Sequence, residues 1–319
     1  MRRLPCHIPG RFAVVLLAYS LLVACGTGIE VTEHVTDKDV KRVITQTTRE
    51  GQESSLVAYR DSVPVWRTGK KRFWVADDQV RLLFGTDRNV LADTASSLSG
   101  HVLVYQGYDI GSIYDNRQTL NLIFKDIETS CTYVYRTGKT LIEFGSSFSI
   151  PMLIDLDMID HVSQQIAGKD YYINTLIWYD RETEQMMNGR HYIKVHIDSV
   201  LPGNAVMPMR VLFTTHDTGQ RAMVWMCDQS STMLGRDFDA LFDTSDPHLL
   251  YPAITEKNWE LITQAQVAEG MTKEECRLAL GSPKHINQNP DQGGMREYWY
   301  YDGGSYLFFI DGLLNHFRR

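Results

Sequence analysis

Two histidines and three aspartates have residue types and spacings that could bind a metal ion. His191 and His196 lie in the segment HYIKVHID, and the imidazole nitrogen of histidine is a common zinc ligand. On a strand, however, positions five apart point to opposite faces of the sheet. We therefore predict that these two side chains do not share an ion and that both are structural.

The aspartates, Asp155, Asp157 and Asp160, lie in the segment DLDMIDH and would supply oxygen ligands for calcium or act as catalytic acids. A calcium loop also needs a glycine at its turn and a closing bidentate glutamate. The segment contains neither of these residues. We interpret the aspartates as a solvated acidic face, and we expect no metal, no cofactor and no catalytic residue in this chain.

A cysteine directly after two glutamates, in EGMTKEECRLALGSP, raises the question of a reactive thiol. Thr272 and Glu275 match the S/T-x-x-E pattern of a capping box, in which each side chain bonds the other residue's backbone N–H. With Thr272 as the N-cap, Met271 and Cys276 take the two positions of a hydrophobic staple. Gly281 is expected to end the helix in a left-handed conformation. This pattern predicts a short helix in which Cys276 is a buried structural residue.

The surrounding residues predict a small α+β module. An earlier helix places Leu261, Ala265 and Ala268 on one apolar stripe, and we expect it to end at Gly270. The apolar segments REYWYY, SYLFFI and LLNHF follow the second helix, and Asp-Gly pairs, which are strong hairpin signals, separate them. The predicted order is two helices and then three strands, ααβββ.

The stretch GMTKEECRLALGSP, followed by EYWYY and YLFFIDGLL, resembles the SmpA/OmlA (BamE-like) lipoprotein domain. That family shows G-M-T-x-x-x-V-x-x-x-L-G-x-P and then an aromatic strand pair, and Cys276 stands where the family has valine. The matching residues are Gly270, Met271, Thr272, Leu280, Gly281 and Pro283. The resemblance covers about residues 255–319. It implies an accessory protein at the outer membrane that binds the barrel-assembly proteins.

The first 25 residues have the pattern of a lipoprotein signal. Arginines at 2, 3 and 11 precede an apolar run over residues 12–24, which ends in LVAC at Cys25. We expect cleavage before Cys25, a diacylglycerol on its sulfur, and a tether over residues 25–55. No aspartate follows Cys25, so we expect the outer membrane, with the protein facing the periplasm; the leaflet stays open.

Composition limits the classes of partner and of covalent cross-link. The formal net charge of −7 at pH 7 argues against nucleic acid, which requires clustered lysine and arginine. Beyond Cys6 in the leader and Cys25, the cysteines are Cys131, Cys227 and Cys276. Three thiols allow at most one disulfide, and the sequence does not decide whether one forms.

Residues 56–250 are rich in β-forming segments and contain two similar halves. The segment at Gly100 resembles the one at Gly189, and TLNLIF, which ends at Phe124, resembles PMRVLF, which ends at Phe213, at the same offset. Between the halves, helical spacing of isoleucine and valine over residues 159–166 predicts one helix. We predict a mainly β domain of two similar meanders, arranged as a sandwich or a partial barrel.

The domain plan is therefore a signal peptide (1–24), a tether (25–55), a β domain (56–250) and a BamE-like α+β domain (251–319). We expect a non-enzymatic, lipid-anchored envelope protein that acts by protein–protein binding, as an accessory of outer-membrane protein assembly. The alternative is a periplasmic ligand-binding or enzymatic lipoprotein with a pocket in the β domain. Neither the partner nor the oligomeric state follows from the sequence.

Overall fold

Three antiparallel sheets organise the residues that the structure, a computed structural model, describes. Those residues are 55–85, 97–113, 117–144, 148–228, 235–291 and 294–318. The chain is mainly β, as the sequence predicts. The predicted signal peptide, Cys25 and nearly all of the predicted tether lie outside the described residues.

The first sheet has the strand order β4-β3-β2-β1-β5. Its strands are β1 (Arg72–Val75), β2 (Val102–Ile113), β3 (Arg117–Asp126), β4 (Thr132–Arg136) and β5 (Leu153–Asp155). Short 3₁₀ helices at Val63–Val65, Asp78–Leu83 and Leu141–Glu143 belong to the segments around it. Four consecutive strands form a meander, and β5 returns to pair with β1.

The second sheet has the strand order β12-β6-β9-β10-β11-β7-β8. Its strands are β6 (Asp170–Ile173), β7 (Ile177–Tyr179), β8 (Met186–Asn188), β9 (Ile193–Pro202), β10 (Met209–Thr215), β11 (Arg221–Met226) and β12 (Phe242–Asp243). Apart from the hairpin β7–β8, its order repeats that of the first sheet. Strands β6, β9, β10 and β11 follow one another as β1 to β4 do, and the short strand β12 pairs with β6 as β5 pairs with β1. The repeated pairing order supports the predicted pair of similar meanders.

Hydrogen bonds at the start of each meander show the correspondence residue by residue. The N–H of Gly69 donates to the carbonyl of Tyr105 (2.7 Å), and the N–H of Gly168 donates to the carbonyl of Ile197 (2.8 Å). Both glycines have positive φ, of 73° and 75°. Tyr105 therefore corresponds to Ile197, and the predicted alignment of the segments at Gly100 and Gly189 is wrong by three residues.

The alignment of the third strands is confirmed. Tyr105 pairs with Phe124 in the first sheet, and Ile197 pairs with Phe213 in the second. A register shift, as a β-bulge produces, follows each of these pairs, so the two meanders bend at the same place. The β2–β9 misalignment arose because both segments are generic apolar strands without a distinctive residue to fix their register.

The helix between the meanders is confirmed as α1 (Leu156–Ile166). Its buried residues, Ile159, Val162 and Ile166, are the ones whose spacing predicts it. Asp155, the last residue of β5, caps its N-terminus by accepting a hydrogen bond from the N–H of Asp157 (3.0 Å). The buried face of α1 joins the hydrophobic core of the second sheet.

Each of the first two sheets has a hydrophobic core of its own. Phe73, Leu103 and Phe124 are buried in the first core, whereas Trp178 and Phe213 are buried in the second. The predicted sandwich, in which two sheets share a single core between them, differs from this arrangement of two cores. The first core also contains buried apolar residues of the connecting segments, such as Val80 and Ile150, while Ile154 of β5 joins the core of the second sheet.

The C-terminal residues form a third sheet with two helices packed on one face. These two helices are α4 (Glu256–Thr263) and α5 (Lys273–Leu280), which pack against each other. Two shorter helices, α2 (Phe238–Leu241) and α3 (Pro247–Leu250), precede them in the chain. The sheet has the order β13-β14-β15-β16, with β13 (His285–Asp291), β14 (Gly294–Tyr300), β15 (Tyr306–Ile310) and β16 (Leu313–Arg318). The predicted order ααβββ is therefore wrong by one strand.

The additional strand is β13, which has the polar sequence HINQNPD. It lacks the alternation of apolar and polar residues that marks a half-buried strand. Its pairing with β14 continues over its full length, from His285 opposite Tyr300 to Asp291 opposite Gly294. The backbone pairing with β14, rather than burial of apolar side chains of β13, therefore holds this polar edge strand in the sheet.

Helix α4 ends at Thr263, which is earlier than the predicted end at Gly270. Ala265 has a positive φ of 55°. The N–H of Gln266 donates to the carbonyl of Leu261 and the N–H of Ala265 to that of Ile262, both at 2.8 Å, which is the Schellman pattern of a helix end. Alanine occupies the left-handed position that glycine usually takes, so the sequence shows no signal for this end.

Replacing Ala265 with glycine is expected to stabilise the protein by about 0.5–1 kcal/mol. The substitution removes the steric cost of a side chain at left-handed φ, and part of this gain is offset by the greater freedom of glycine in the unfolded chain. The free energy of unfolding in urea measures the change. Ala268→Gly is the control: Ala268 does not have positive φ, so glycine there is expected to destabilise. Equal effects of the two substitutions would contradict this helix end.

Candidate functional site

His191 joins the second sheet to the end of α4. Its side chain is buried, and its Nε2 lies 2.6 Å from the carbonyl oxygen of Ile262, while its backbone N–H donates to the carbonyl of Thr263 (3.0 Å). Burial lowers the pKa of His191, which keeps the ring neutral and lets Nε2–H donate. The neighbouring Tyr192 ring packs against Trp259 in the C-terminal core. The structural interpretation of His191 agrees with these contacts.

His196 lies on the exposed side of the second sheet, in a group that the sequence did not reveal. Its Nδ1 is 2.8 Å from Oδ1 of Asp170, and Nε2 of His216 is 3.1 Å from the same oxygen. We call Asp170, His196 and His216 the Asp–His cluster. Asp170 and His196 are directly opposite each other on β6 and β9, and His216 follows the end of β10.

The neighbours of Asp170 in the Asp–His cluster stabilise the ionised form of its carboxyl group. Hydrogen bonds from His196 and then His216 lower the pKa of Asp170. Nζ of Lys194 lies 3.1 Å from its second oxygen, Oδ2. All four side chains are partly exposed. As predicted, His191 and His196 do not meet, but the interpretation of His196 as merely structural missed two partners that only strand pairing brings together.

A cleft of about 580 Å³ lies beside the cluster, between the second sheet and helices α3 and α4. Aromatic residues and charged residues line it, among them Tyr172, Tyr192, Trp259, Arg190, Lys194 and His216. Arg190 pairs with Asp217 through two hydrogen bonds of 2.5 and 3.0 Å. This ion pair neutralises two of the charged groups in the lining.

The predicted solvated face of DLDMIDH is wrong for Asp155, which is mostly buried, whereas Asp157 and Asp160 are partly and largely exposed. Asp155 and Asp157 lie 2.6 and 3.2 Å from Nζ of Lys71, and Asp160 lies 2.9 Å from Nη2 of Arg72. Lys71 is only 3% exposed, so Asp155 faces a buried cation rather than water. The carboxylates are neutralised by protein cations, which leaves them unsuited to binding calcium.

Lys71 is the centre of a buried polar group. Besides Asp155, it contacts Asp61 (2.5 Å) and the hydroxyl of Tyr59 (2.9 Å), and it lies over the ring of Trp66. Burial by itself lowers the pKa of Lys71, but the hydrogen bonds and charges of its carboxylate partners outweigh burial and raise it. The ammonium group is therefore charged and paired inside the protein.

Replacing Lys71 with methionine is expected to destabilise the protein by about 3 kcal/mol, because Asp61 and Asp155 would be left without a buried cation. Arg72→Met is the matched control. The ion pair of Arg72 with Asp160 is largely exposed, so we expect a loss below about 1 kcal/mol. Urea unfolding measures both variants. An equal loss for the two variants would contradict the structural role of Lys71.

The motif around Cys276 folds as its residues predict. Thr272 accepts from the N–H of Glu275 (3.2 Å), and Glu275 accepts from the N–H of Thr272 (2.7 Å), which completes the capping box. Met271 and Cys276 are buried together in the C-terminal core. Burial, followed by the charge of Glu275, raises the pKa of the Cys276 thiol to about 12. Such a thiol is protonated at neutral pH and is a poor nucleophile.

The glycines of the motif lie at its two ends. Gly281 ends α5 with a positive φ of 78°, but its ψ of −170° places it outside the predicted left-handed helical region. The N–H of Gly270 donates to the carbonyl of Leu314, which ties the start of the motif to β16. Leu280 and Pro283 lie at the end of α5 and in the following loop. Cys131, Cys227 and Cys276 are all free thiols, so no disulfide joins these three described cysteines.

The third sheet presents aromatic rings on the side away from its helices. Trp299, Leu307 and Phe309 are buried against α4 and α5, and strand alternation directs their neighbours to the opposite side. We call that side the aromatic face, and it consists of Tyr298, Tyr300, Tyr306, Phe308 and His316. The rings of Tyr298 and Phe308 stack with centroids 4.5 Å apart, and each of the five side chains is partly or largely exposed.

No protein-family model, curated protein or solved structure matches this chain. Among the residues that the structure describes, none of the helices has the length and apolar character needed to cross a membrane.

Proposed function

We propose that this chain is a lipid-anchored cell-envelope protein that acts by binding another protein through the aromatic face. Two features of the sequence support the location. The leader ends in LVAC, so Cys25 is the residue that would carry the lipid, and the C-terminal motif resembles a domain of outer-membrane lipoproteins. The single observation that carries the binding role is the partly exposed aromatic face itself.

An exposed group of aromatic rings on a rigid sheet has the properties of a protein-binding surface. Tyrosine and phenylalanine are enriched at interfaces because they bury a large area and lose little conformational freedom. Tyr298 stacks on Phe308, and Tyr306 lies next to His316 (ring centroids 6.2 Å apart), so the rings are held in place before a partner arrives. Such preorganisation lowers the entropic cost of binding.

The edges of the third sheet are less suitable for a partner than its aromatic face. Strand β13 contains Pro290, which has no N–H to donate to an added strand. At the other edge, the N–H of Leu314 in β16 donates to the carbonyl of Met271 (2.7 Å), and the carbonyl of Leu314 accepts from Gly270. Both backbone groups of Leu314 are thus already paired, which obstructs addition of a strand at that part of the edge and favours recognition through side chains.

The proposed partner is a component of the outer-membrane barrel-assembly machinery. The resemblance of GMTKEECRLALGSP to the SmpA/OmlA (BamE-like) domain motivates this choice. The fold of the segment is compatible with it, because the capping box and the buried Met271–Cys276 pair hold α5 against the sheet that carries the aromatic face. The acidic net charge of −7 supports a protein partner rather than nucleic acid.

A second candidate function is ligand binding in the cleft between the second sheet and α3–α4. Its volume of about 580 Å³ and its tyrosine and tryptophan lining favour this reading. Among its charged groups, Arg190 pairs with Asp217, and Nδ1 of His248 lies 2.9 Å from Oδ1 of Asp246. The cleft thus combines an aromatic lining with charged groups of both signs, and it supports a function less specifically than the aromatic face does.

The experiment is affinity capture of the full, lipidated chain from detergent-solubilised envelopes. We expect a barrel-assembly component to be captured, and we expect the double substitution Tyr298→Ser with Phe308→Ser to weaken its binding by about 30-fold in Kd, as removal of an interface hot spot does, and so to reduce the amount captured. Tyr108→Ser is the matched control, because Tyr108 is an exposed tyrosine on a strand of the first sheet. Circular dichroism and the melting temperature establish that all variants fold.

Capture of the same component by the wild type and the double variant in equal yield would contradict a role of the aromatic face. Capture of no barrel-assembly component at all would remove the partner that the resemblance suggests. A similar loss in the Tyr108→Ser control would show that the reduction reports general damage rather than a specific surface.

A further inference from the structure

We propose that the Asp–His cluster binds a divalent transition-metal ion of the zinc type. The potential ligand atoms of Asp170, His196 and His216 all lie within 4.8 Å of one another. Oδ1 of Asp170 is 2.8 Å from Nδ1 of His196 and 3.1 Å from Nε2 of His216. The proposal is independent of the aromatic face, which lies on a different sheet.

Two of the three ligand separations are close to those of a tetrahedral site, and the third, between the two imidazoles, is at most 4.8 Å. Zinc bonds to histidine nitrogen and carboxylate oxygen are about 2.0–2.2 Å long, so neighbouring ligand atoms in a tetrahedron lie roughly 3.3 Å apart. The two separations from Oδ1 of Asp170 are a few tenths of an ångström shorter. Small side-chain movements would therefore open the space that an ion needs, and both imidazole hydrogen bonds to Asp170 would be replaced by bonds to the metal.

The ligand types select the class of metal. Two imidazole nitrogens and one carboxylate oxygen suit zinc and its neighbours copper and nickel, whereas magnesium and calcium prefer sites made only of oxygen atoms. The neutral form of histidine is the ligand, and a single carboxylate then leaves the site with too little negative charge for a hard cation.

The backbone holds the three ligands on fixed elements. Asp170 and His196 are opposite each other in the β6–β9 pair. His216 is fixed by its own N–H, which donates to the carbonyl of Lys194 (3.1 Å). The Lys194 ammonium also bonds Oδ2 of Asp170, so it orients the carboxylate and leaves Oδ1 directed at the histidines. Such second contacts to a ligating carboxylate are typical of protein metal sites.

The position of the site suggests what the ion would do. Three protein ligands leave one coordination position open, to water or to another ligand. His216 and Lys194 also line the 580 Å³ cleft, so the ion would lie at the border of that cleft. It would cross-link β6, β9 and the turn after β10, and it would offer an additional coordination position to an anionic group of a molecule in the cleft.

The test is equilibrium dialysis of the full chain, carrying a tag without histidine, against zinc chloride, with bound zinc measured by mass spectrometry. We expect one equivalent of zinc in the wild type. We expect His216→Ala and Asp170→Asn each to weaken binding by more than about 100-fold, since loss of even an outer-shell partner typically costs 10- to 100-fold. His285→Ala is the matched control, because His285 is exposed on β13, far along the chain.

Cobalt(II) in place of zinc gives a second readout, because its visible spectrum differs between four-coordinate and six-coordinate sites. A four-coordinate spectrum that is lost in His196→Ala and retained in His285→Ala would support the proposal. Wild-type protein that binds less than one equivalent of zinc at millimolar concentration, or variants of the cluster that bind as the wild type does, would overturn it and leave a hydrogen-bonded surface group only.

Discussion

The arrangement of the first two sheets depends on the burial of one ammonium group, that of Lys71. A buried cation is costly unless carboxylates surround it, so Lys71 requires Asp61 before β1 and Asp155 at the end of β5 to be within reach. Asp155 is also the N-cap of α1. Since α1 packs on β1 and on β9 of the second sheet, the ion-paired group fixes the helix that lies between the two sheets. The same group accounts for carboxylates that would otherwise suggest a calcium site.

The two meanders share a backbone plan but use it differently. The N–H of Tyr105 donates to the carbonyl of Lys71, and the N–H of Ile197 donates to the carbonyl of Lys169, so the two lysines occupy corresponding positions. Lys71 is buried, whereas Lys169 is exposed. The Asp–His cluster likewise belongs to the second meander. By strand pairing, Asp170 corresponds to Arg72 of the first meander, His196 to Val104 and His216 to Ile127. None of these three residues of the first meander has a carboxylate or an imidazole. The same backbone plan thus carries a structural ion pair in one meander and a candidate metal site in the other.

Local patterns could be read from the sequence, whereas properties of strand pairing could not. The capping box of Thr272 and Glu275 and the buried stripe of α1 depend on residues three or four apart, so their signals are contiguous. The helix end at Ala265 was missed because alanine replaces the usual glycine. Strand β13 and the meeting of His196 with His216 were missed for a different reason. Both follow from hydrogen-bond register between strands, which apolar alternation specifies only weakly.

We propose a protein that is held at the membrane by its N-terminal lipid and presents the aromatic face to a protein partner. The most direct measurement is photo-cross-linking in intact cells, with a photoreactive phenylalanine analogue in place of Phe308 and, as the control, in place of Tyr108. We predict a cross-link from position 308 to one outer-membrane assembly protein, no such product from position 108, and loss of the product when Cys25 is replaced by serine. Absence of a cross-link from position 308, or equal products from both positions, would contradict it.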